Sequence, residues 1–180
     1  MKMKDFQRIR RACFTTITMI TILGLTPSRV LAFEEMTATI RVTSGALYDY
    51  VIVGEHLKAS DGFDNAYDTI SPGNLNSDMG LPYISAVIVQ PDWKPAMREL
   101  RGDMRAPAGK QQWRIRINSS LDKGTPLAVT LQPGRGTTSQ GFGVTLSDTK
   151  KSTDLRTGTC NVPAPGPGGT AELVLSVEQP

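Results

Sequence analysis

The chain has 180 residues, with 20 Lys/Arg, 17 Asp/Glu, one histidine and two cysteines. Residues 1–32 hold six of the basic residues and one of the acids, so residues 33–180 carry a formal charge of −2. That part has no basic run, and this argues against a nucleic-acid-binding protein. The single histidine, His56, excludes zinc and iron sites that need two imidazole ligands.

The first 32 residues have the three regions of a cleavable secretory signal. A basic start leads into an apolar run at residues 12–25, and Val30 and Ala32 then occupy the small-residue positions of a signal-peptidase site. The apolar run is shorter than the roughly 20 residues that a bilayer-spanning helix needs. We therefore predict cleavage after Ala32, with secretion or release into the periplasm, and a single domain over residues 33–180. A retained N-terminal anchor is the alternative.

Seven short segments after the signal show the period-two alternation or the short β-branched apolar runs of β-strands. In the clearest segment, Trp113, Ile115 and Ile117 alternate with charged or amide side chains, so we expect Trp113 in the core. The pattern predicts an all-β protein with an antiparallel, Ig-like β-sandwich of about seven strands. The predicted strands cover residues 36–42, 47–53, 83–89, 113–118, 127–131, 142–146 and 173–177.

Two long stretches, residues 55–82 and 91–109, lack this alternation and are predicted to be long loops. We expect a helical turn near residues 97–100 in the second loop. Long ordered loops in a compact domain are often where function resides.

The first loop contains Asp61, Asp64 and Asp68, whose oxygen atoms make it a candidate Ca²⁺ site. The alternative is that these carboxylates bond to the backbone of their own turns, and that no cofactor is bound. Phe63 and Tyr67 lie between the acids. They either pin the loop to the domain or contact a ligand.

Other residues have both a structural and a functional interpretation. Trp93 either closes one end of the sandwich or provides an exposed stacking surface for a sugar. The tripeptide at residues 101–103, Arg-Gly-Asp, matches a motif that animal-cell receptors read, but we expect Asp103 and Arg105 to form local structural pairs. Cys160 is the only cysteine after the signal, and we expect it to be a buried thiol rather than a disulfide to a second copy.

The order of several segments resembles a poorly characterised group of exported bacterial β-sandwich modules. The segments are S-D-G-F-D at residues 60–64, V-Q-P-D-W at 89–93 and R-G-D-M-R-A-P at 101–107. The pattern of the group is an S/T-D-G-F/Y-D loop, a P-x-x-W and a D-I/M-R, followed by an Ig- or fibronectin-like second half. The resemblance covers residues 42–177 and implies a binding or structural module without known catalytic residues.

These observations favour an exported, non-catalytic interaction or structural module whose partner is another envelope or extracellular protein, or a glycan. The first alternative is a carbohydrate-binding module that uses Trp93 or tyrosines, and an exposed aromatic row on a sheet face would favour it. The second is a small secreted hydrolase, which a cleft holding His56 beside a carboxylate or Cys160 would favour. No nucleophile elbow or other catalytic signature surrounds His56, so we predict no catalytic residues.

The exported protein is expected to begin at Phe33, because the small-residue site ends at Ala32. N-terminal sequencing of protein isolated from its native compartment checks this. A chain with Met1 intact in a membrane fraction would show instead that the segment is a retained anchor.

Overall fold

A computed structural model of the chain contains the strands that the alternation predicts. One row of side chains from each of these strands lies in the core. The structure describes residues 35–91, 93, 99–132, 141–148 and 151–179. The predicted signal peptide with its cleavage site therefore lies outside the described residues, as do residues 97 and 98 of the expected helical turn.

The prediction of an all-β protein is confirmed. All seven predicted segments lie in strands, apart from Tyr83 and Phe142, which directly precede theirs. These strands are β1 (Met36–Ser44), β2 (Leu47–Glu55), β4 (Ile84–Val89), β6 (Lys110–Ser119), β7 (Pro126–Gln132), β8 (Gly143–Ser147) and β11 (Ala171–Glu178). Alternation did not predict β3 (Thr69–Ile70), β5 (Glu99–Arg105), β9 (Ser152–Asp154), β10 (Cys160–Pro163) or the helical turn α1 (Leu75–Asp78).

The predicted seven-stranded antiparallel sandwich is wrong. The strands form one mixed sheet in the order β10-β7-β1-β2-β5-β4-β6-β11-β8-β9, with β3 added on β5, and the sheet is nearly closed into a barrel. Strands β2 and β5 are parallel, from Ile52 opposite Gly102 to Glu55 opposite Arg105. The end strands β9 and β10 are joined by residues 155–159, which span at most roughly 20 Å.

Strand β5 explains most of the difference between prediction and structure. Its sequence, E-L-R-G-D-M-R, has no apolar alternation, so the segment reads as a loop. The expected helical turn is wrong for Glu99 and Leu100, which begin this strand. Because Asp103 is fully buried, a charged residue occupies a core position that a hydrophobic pattern would not identify.

Strands β2 and β4 separate from one another along β5. Strand β3 pairs with β5 at Leu100 and Gly102, so β2 and β4 share the opposite edge. Strand β4 pairs there through Glu99 and Leu100, and β2 pairs from Gly102 onward. Arg101 lies between the two ladders, at a position that we call the divergence point.

Two charged side chains supply the hydrogen bonds that the divergence removes. The Asp49 carboxylate, on β2, accepts from the Ala86 N–H of β4 at 2.8 Å. The Arg101 guanidinium donates to Asp49 and to the Tyr50 carbonyl, and it reaches the Ala86 carbonyl at 3.5 Å. The side chains of Arg101 and Asp49 are only 14% and 11% exposed. The ion pair therefore takes the place of a neighbouring strand for backbone groups that would otherwise lack partners.

The core confirms the prediction for Trp113, whose side chain is fully buried. The Arg105 guanidinium lies 5.0 Å from the centroid of its ring. Cys160 is also buried, as expected for a thiol in the core. The described residues contain no helix with the length and hydrophobicity needed to span a bilayer.

Candidate functional site

The acidic loop is held by hydrogen bonds to its own carboxylates. The Asp68 carboxylate accepts from the Asp64 N–H at 2.7 Å and from the Met104 N–H of β5 at 2.9 Å. The Asp64 carboxylate accepts from the Ala66 N–H at 3.0 Å. Backbone N–H groups thus compensate two of the negative charges and fix the loop to the sheet.

The three candidate metal ligands do not face a common point. Asp64 and Asp68 are turned toward N–H groups, and Asp61 is exposed. In the part of the chain that the structure describes, no group of three or more His, Cys, Asp or Glu side chains is arranged to hold a metal ion. A Ca²⁺ site at this loop stays a prediction from the sequence.

The Asp68 carboxyl in the loop has a raised pKa. Burial raises the pKa of its carboxyl above the usual value of 3.8, and the nearby charges of Asp103 and Asp64 add to the rise. The hydrogen bonds from Asp64 and Met104 act in the opposite direction. Desolvation of the carboxylate outweighs these bonds.

The aromatic side chains predicted as binding residues contact one another, the core or His56. Phe63 and Trp93 are half-buried against the core, with their rings edge to face at 6.2 Å. The Tyr67 ring lies 4.5 Å from that of His56. These contacts favour the interpretation that Phe63 and Tyr67 pin the loop and that Trp93 closes one end of the domain.

The Arg-Gly-Asp tripeptide is part of β5. Asp103 is fully buried and accepts from the Gln90 side chain at 2.6 Å and from Arg105 at 3.0 Å. The predicted local pair of Asp103 and Arg105 is confirmed. An adhesion receptor needs this carboxylate at the surface, so the structure gives the motif no accessible aspartate.

A cleft of about 250 Å³ contains His56 beside Glu35, with Glu55 and Tyr67 also in its wall. His56 Nδ1 accepts from the Lys58 N–H at 3.1 Å, and Nε2 lies 3.4 Å from the Glu35 carboxylate. Both ring nitrogens of His56 are thus engaged within the chain. Cys160 does not line this cleft.

The sequence did not identify the most exposed apolar surface. Five of the eight exposed large hydrophobic side chains in the described residues lie between positions 57 and 81. Three of them, Leu75, Met79 and Leu81, are 71%, 63% and 46% exposed, and we call them the loop apolar surface. Leu75 and Met79 are four residues apart around α1, a spacing that places side chains on one face of a helical turn.

Hydrogen bonds hold this surface in place. The Asn74 side chain accepts from the Ser77 N–H at 3.2 Å and donates to the Ile84 carbonyl at 2.9 Å. The Leu81 N–H donates to the Asn76 carbonyl at 2.8 Å. The exposed apolar side chains are thus carried by a bonded turn joined to the start of β4. The asparagine before the turn was the available sequence signal, because Asn favours the N-cap position.

Comparison with known proteins finds no matching family model, no similar curated protein and no similar solved structure.

Replacing Asp68 by Asn leaves one of two backbone N–H groups without its acceptor, which costs about 1–3 kcal/mol, but it also removes the buried charge, whose desolvation cost appears as the carboxyl ionises. The raised pKa means that the folded state binds the Asp68 proton more tightly than the unfolded state. Stability from this group is therefore greatest below pH 3.8 and falls as the pH rises through the raised pKa. Denaturant unfolding of the natural chain and of Asp68→Asn, measured from below pH 3.8 upward, is expected to show that the stability difference between them shrinks as the pH rises.

Exposed Asp61 provides the matched control, and Asp61→Asn is expected to change stability by less than about 0.5 kcal/mol. A destabilisation by Asp68→Asn that grows with pH would contradict the burial argument. A clear rise in Tm with millimolar Ca²⁺ that is lost in Asp61→Asn would make the loop a metal site.

Proposed function

We propose that this protein is an exported, non-catalytic interaction module that docks another envelope or extracellular protein through the loop apolar surface. The observation that carries the proposal is the exposure of Leu75, Met79 and Leu81 on a turn held by hydrogen bonds. Apolar side chains grouped at the surface are typical of protein–protein contact sites. An ordered turn also loses little conformational entropy when a partner binds.

The cleft has His56 beside a carboxylate, Glu35, which is the arrangement expected to favour a small hydrolase, but the contacts of its polar groups support a non-catalytic role. Its histidine is engaged at both ring nitrogens, to the Lys58 N–H and toward Glu35. Glu55 accepts from the Ala108 N–H at 2.9 Å and from the Gln179 side chain at 2.7 Å. Glu35 accepts from the Leu57 N–H at 3.0 Å, so all three candidate acid–base groups are engaged in contacts within the chain.

The proposed address, secreted or periplasmic with cleavage after Ala32, is supported by the basic, apolar and small-residue regions of residues 1–32. The motifs at residues 60–64, 89–93 and 101–107 imply the same address through their resemblance to exported bacterial modules, but the mixed sheet is not the Ig-like sandwich of that group. The proposal assigns the protein no enzymatic activity and no required cofactor.

Photo-cross-linking in the cells that produce the protein tests the docking surface. A cross-linking residue in place of Met79 is expected to form an adduct with one envelope or extracellular protein. The same residue at Glu172, an exposed position on β11, should not form it. Leu75→Lys or Leu81→Lys should reduce the adduct at least about tenfold, because a charge in an apolar contact costs more than 1.4 kcal/mol.

Circular dichroism checks that the lysine variants fold, which is expected because both positions are exposed. An identical adduct from the Glu172 position, or no adduct from Met79, would contradict the proposal. An adduct between two copies of this chain would assign the surface to self-association.

A further inference from the structure

A second surface, away from the loop, lies on the outward side of β1, β2 and β7. The inward row of β2 contains Val51 and Val53, so Tyr48 and Tyr50 point outward and are 57% and 39% exposed. The two tyrosines are separated by one residue, which places them about 7 Å apart along the strand. Exposed aromatic rings at this spacing form a row on the sheet face.

Arginine side chains hold both rings. The Arg41 guanidinium, on β1, lies 4.3 Å from the centroid of the Tyr48 ring, and Arg101 lies 5.2 Å from that of Tyr50. Register supports this grouping, because Arg41 is opposite Tyr50 and also opposite Thr130 of β7. Cation–π contacts restrict the rings before any ligand arrives.

Arg41 carries a charge that no carboxylate neutralises among the described residues. Its ε N–H is buried and has no hydrogen-bond partner in the described part of the chain, so a ligand carboxylate would bind the terminal NH2 groups. No carboxylate pairs with it among the described residues, whereas Arg101, Arg105 and Arg116 each have one. The other outward positions of β1, β2 and β7 carry Thr, Ile, Ala, Gln, Pro or Gly and no acid. The face therefore presents an uncompensated positive charge beside two aromatic rings.

We infer that this face binds an acidic polysaccharide, with a uronate carboxylate on Arg41 and sugar rings against Tyr48 and Tyr50. A guanidinium matches a carboxylate with two parallel hydrogen bonds. Tyrosine combines an apolar ring face with a polar hydroxyl, and suits a ligand that is apolar on one side and hydroxylated at its edges. Thr43 and Thr130 add hydroxyl groups around the rings.

Charge distinguishes this ligand from a neutral polysaccharide. A neutral polysaccharide would leave Arg41 without a counter-charge. A single-stranded nucleic acid also stacks on aromatic rings and is also anionic, so the oligothymidylate comparison in the test distinguishes the two ligands. The site is also different from Trp93, whose ring is half-buried against Phe63.

Binding of the exported protein to polygalacturonate, measured by affinity electrophoresis and calorimetry, tests the inference. Fully methyl-esterified polygalacturonate is the matched probe, because it keeps the sugar backbone and removes the charge. Arg41→Gln and Tyr48→Ala are each expected to weaken binding at least about tenfold. Tyr48→Phe should restore most of the affinity, because the ring is kept.

Arg114→Gln is the control, since it removes an exposed arginine from another strand and should leave the affinity unchanged. Equal binding of the esterified and charged probes would overturn the role of Arg41, and tighter binding of an oligothymidylate would assign the face to nucleic acid. Failure to bind polygalacturonate, alginate or hyaluronate would overturn the inference as a whole. The loop variant Leu75→Lys should bind polygalacturonate normally, which separates this result from the proposed protein docking.

Discussion

The ion pair of Asp49 and Arg101 is the contact on which this architecture depends. Strands β2 and β4 use the same edge of β5, so they must separate, and separation leaves the N–H and carbonyl of Ala86 and the carbonyl of Tyr50 without strand partners. Unpaired backbone groups in a buried place are costly. The two charged side chains supply these partners and compensate each other, which lets a sheet of mostly antiparallel strands include one parallel pair.

The loop apolar surface and the outward face with Tyr48 and Tyr50 are both connected to strand β5. Strand β5 receives the acidic loop through Asp68, and the chain then passes to the turn that carries Leu75 and Met79. On the other side, Arg101 reaches the ring of Tyr50 as well as Asp49, so the divergence point also supports the outward aromatic row. The loop apolar surface and the proposed polysaccharide face are thus both positioned by contacts with β5.

Sequence reasoning succeeded where burial follows hydrophobic alternation and failed where polar groups are buried. Strand β6 was predictable because Trp113 alternates with charged neighbours, whereas β5 was missed because its buried positions include Asp103. The parallel pairing depends on hydrogen bonds between residues distant in sequence, so no local pattern reveals it. The alternation of β2 correctly separated its tyrosines from Val51, but sequence could not show that Arg41 lacks a carboxylate partner.

The most direct test of the structural account is the unfolding free energy of the double variant Asp49→Leu/Arg101→Met. If the pair acted only as a buried salt bridge, replacing both charges by apolar side chains would be neutral or stabilising. The account instead predicts a loss of about 3 kcal/mol or more, because three backbone groups lose their partners. Denaturant unfolding measures the difference. A double variant as stable as the natural chain would contradict the account.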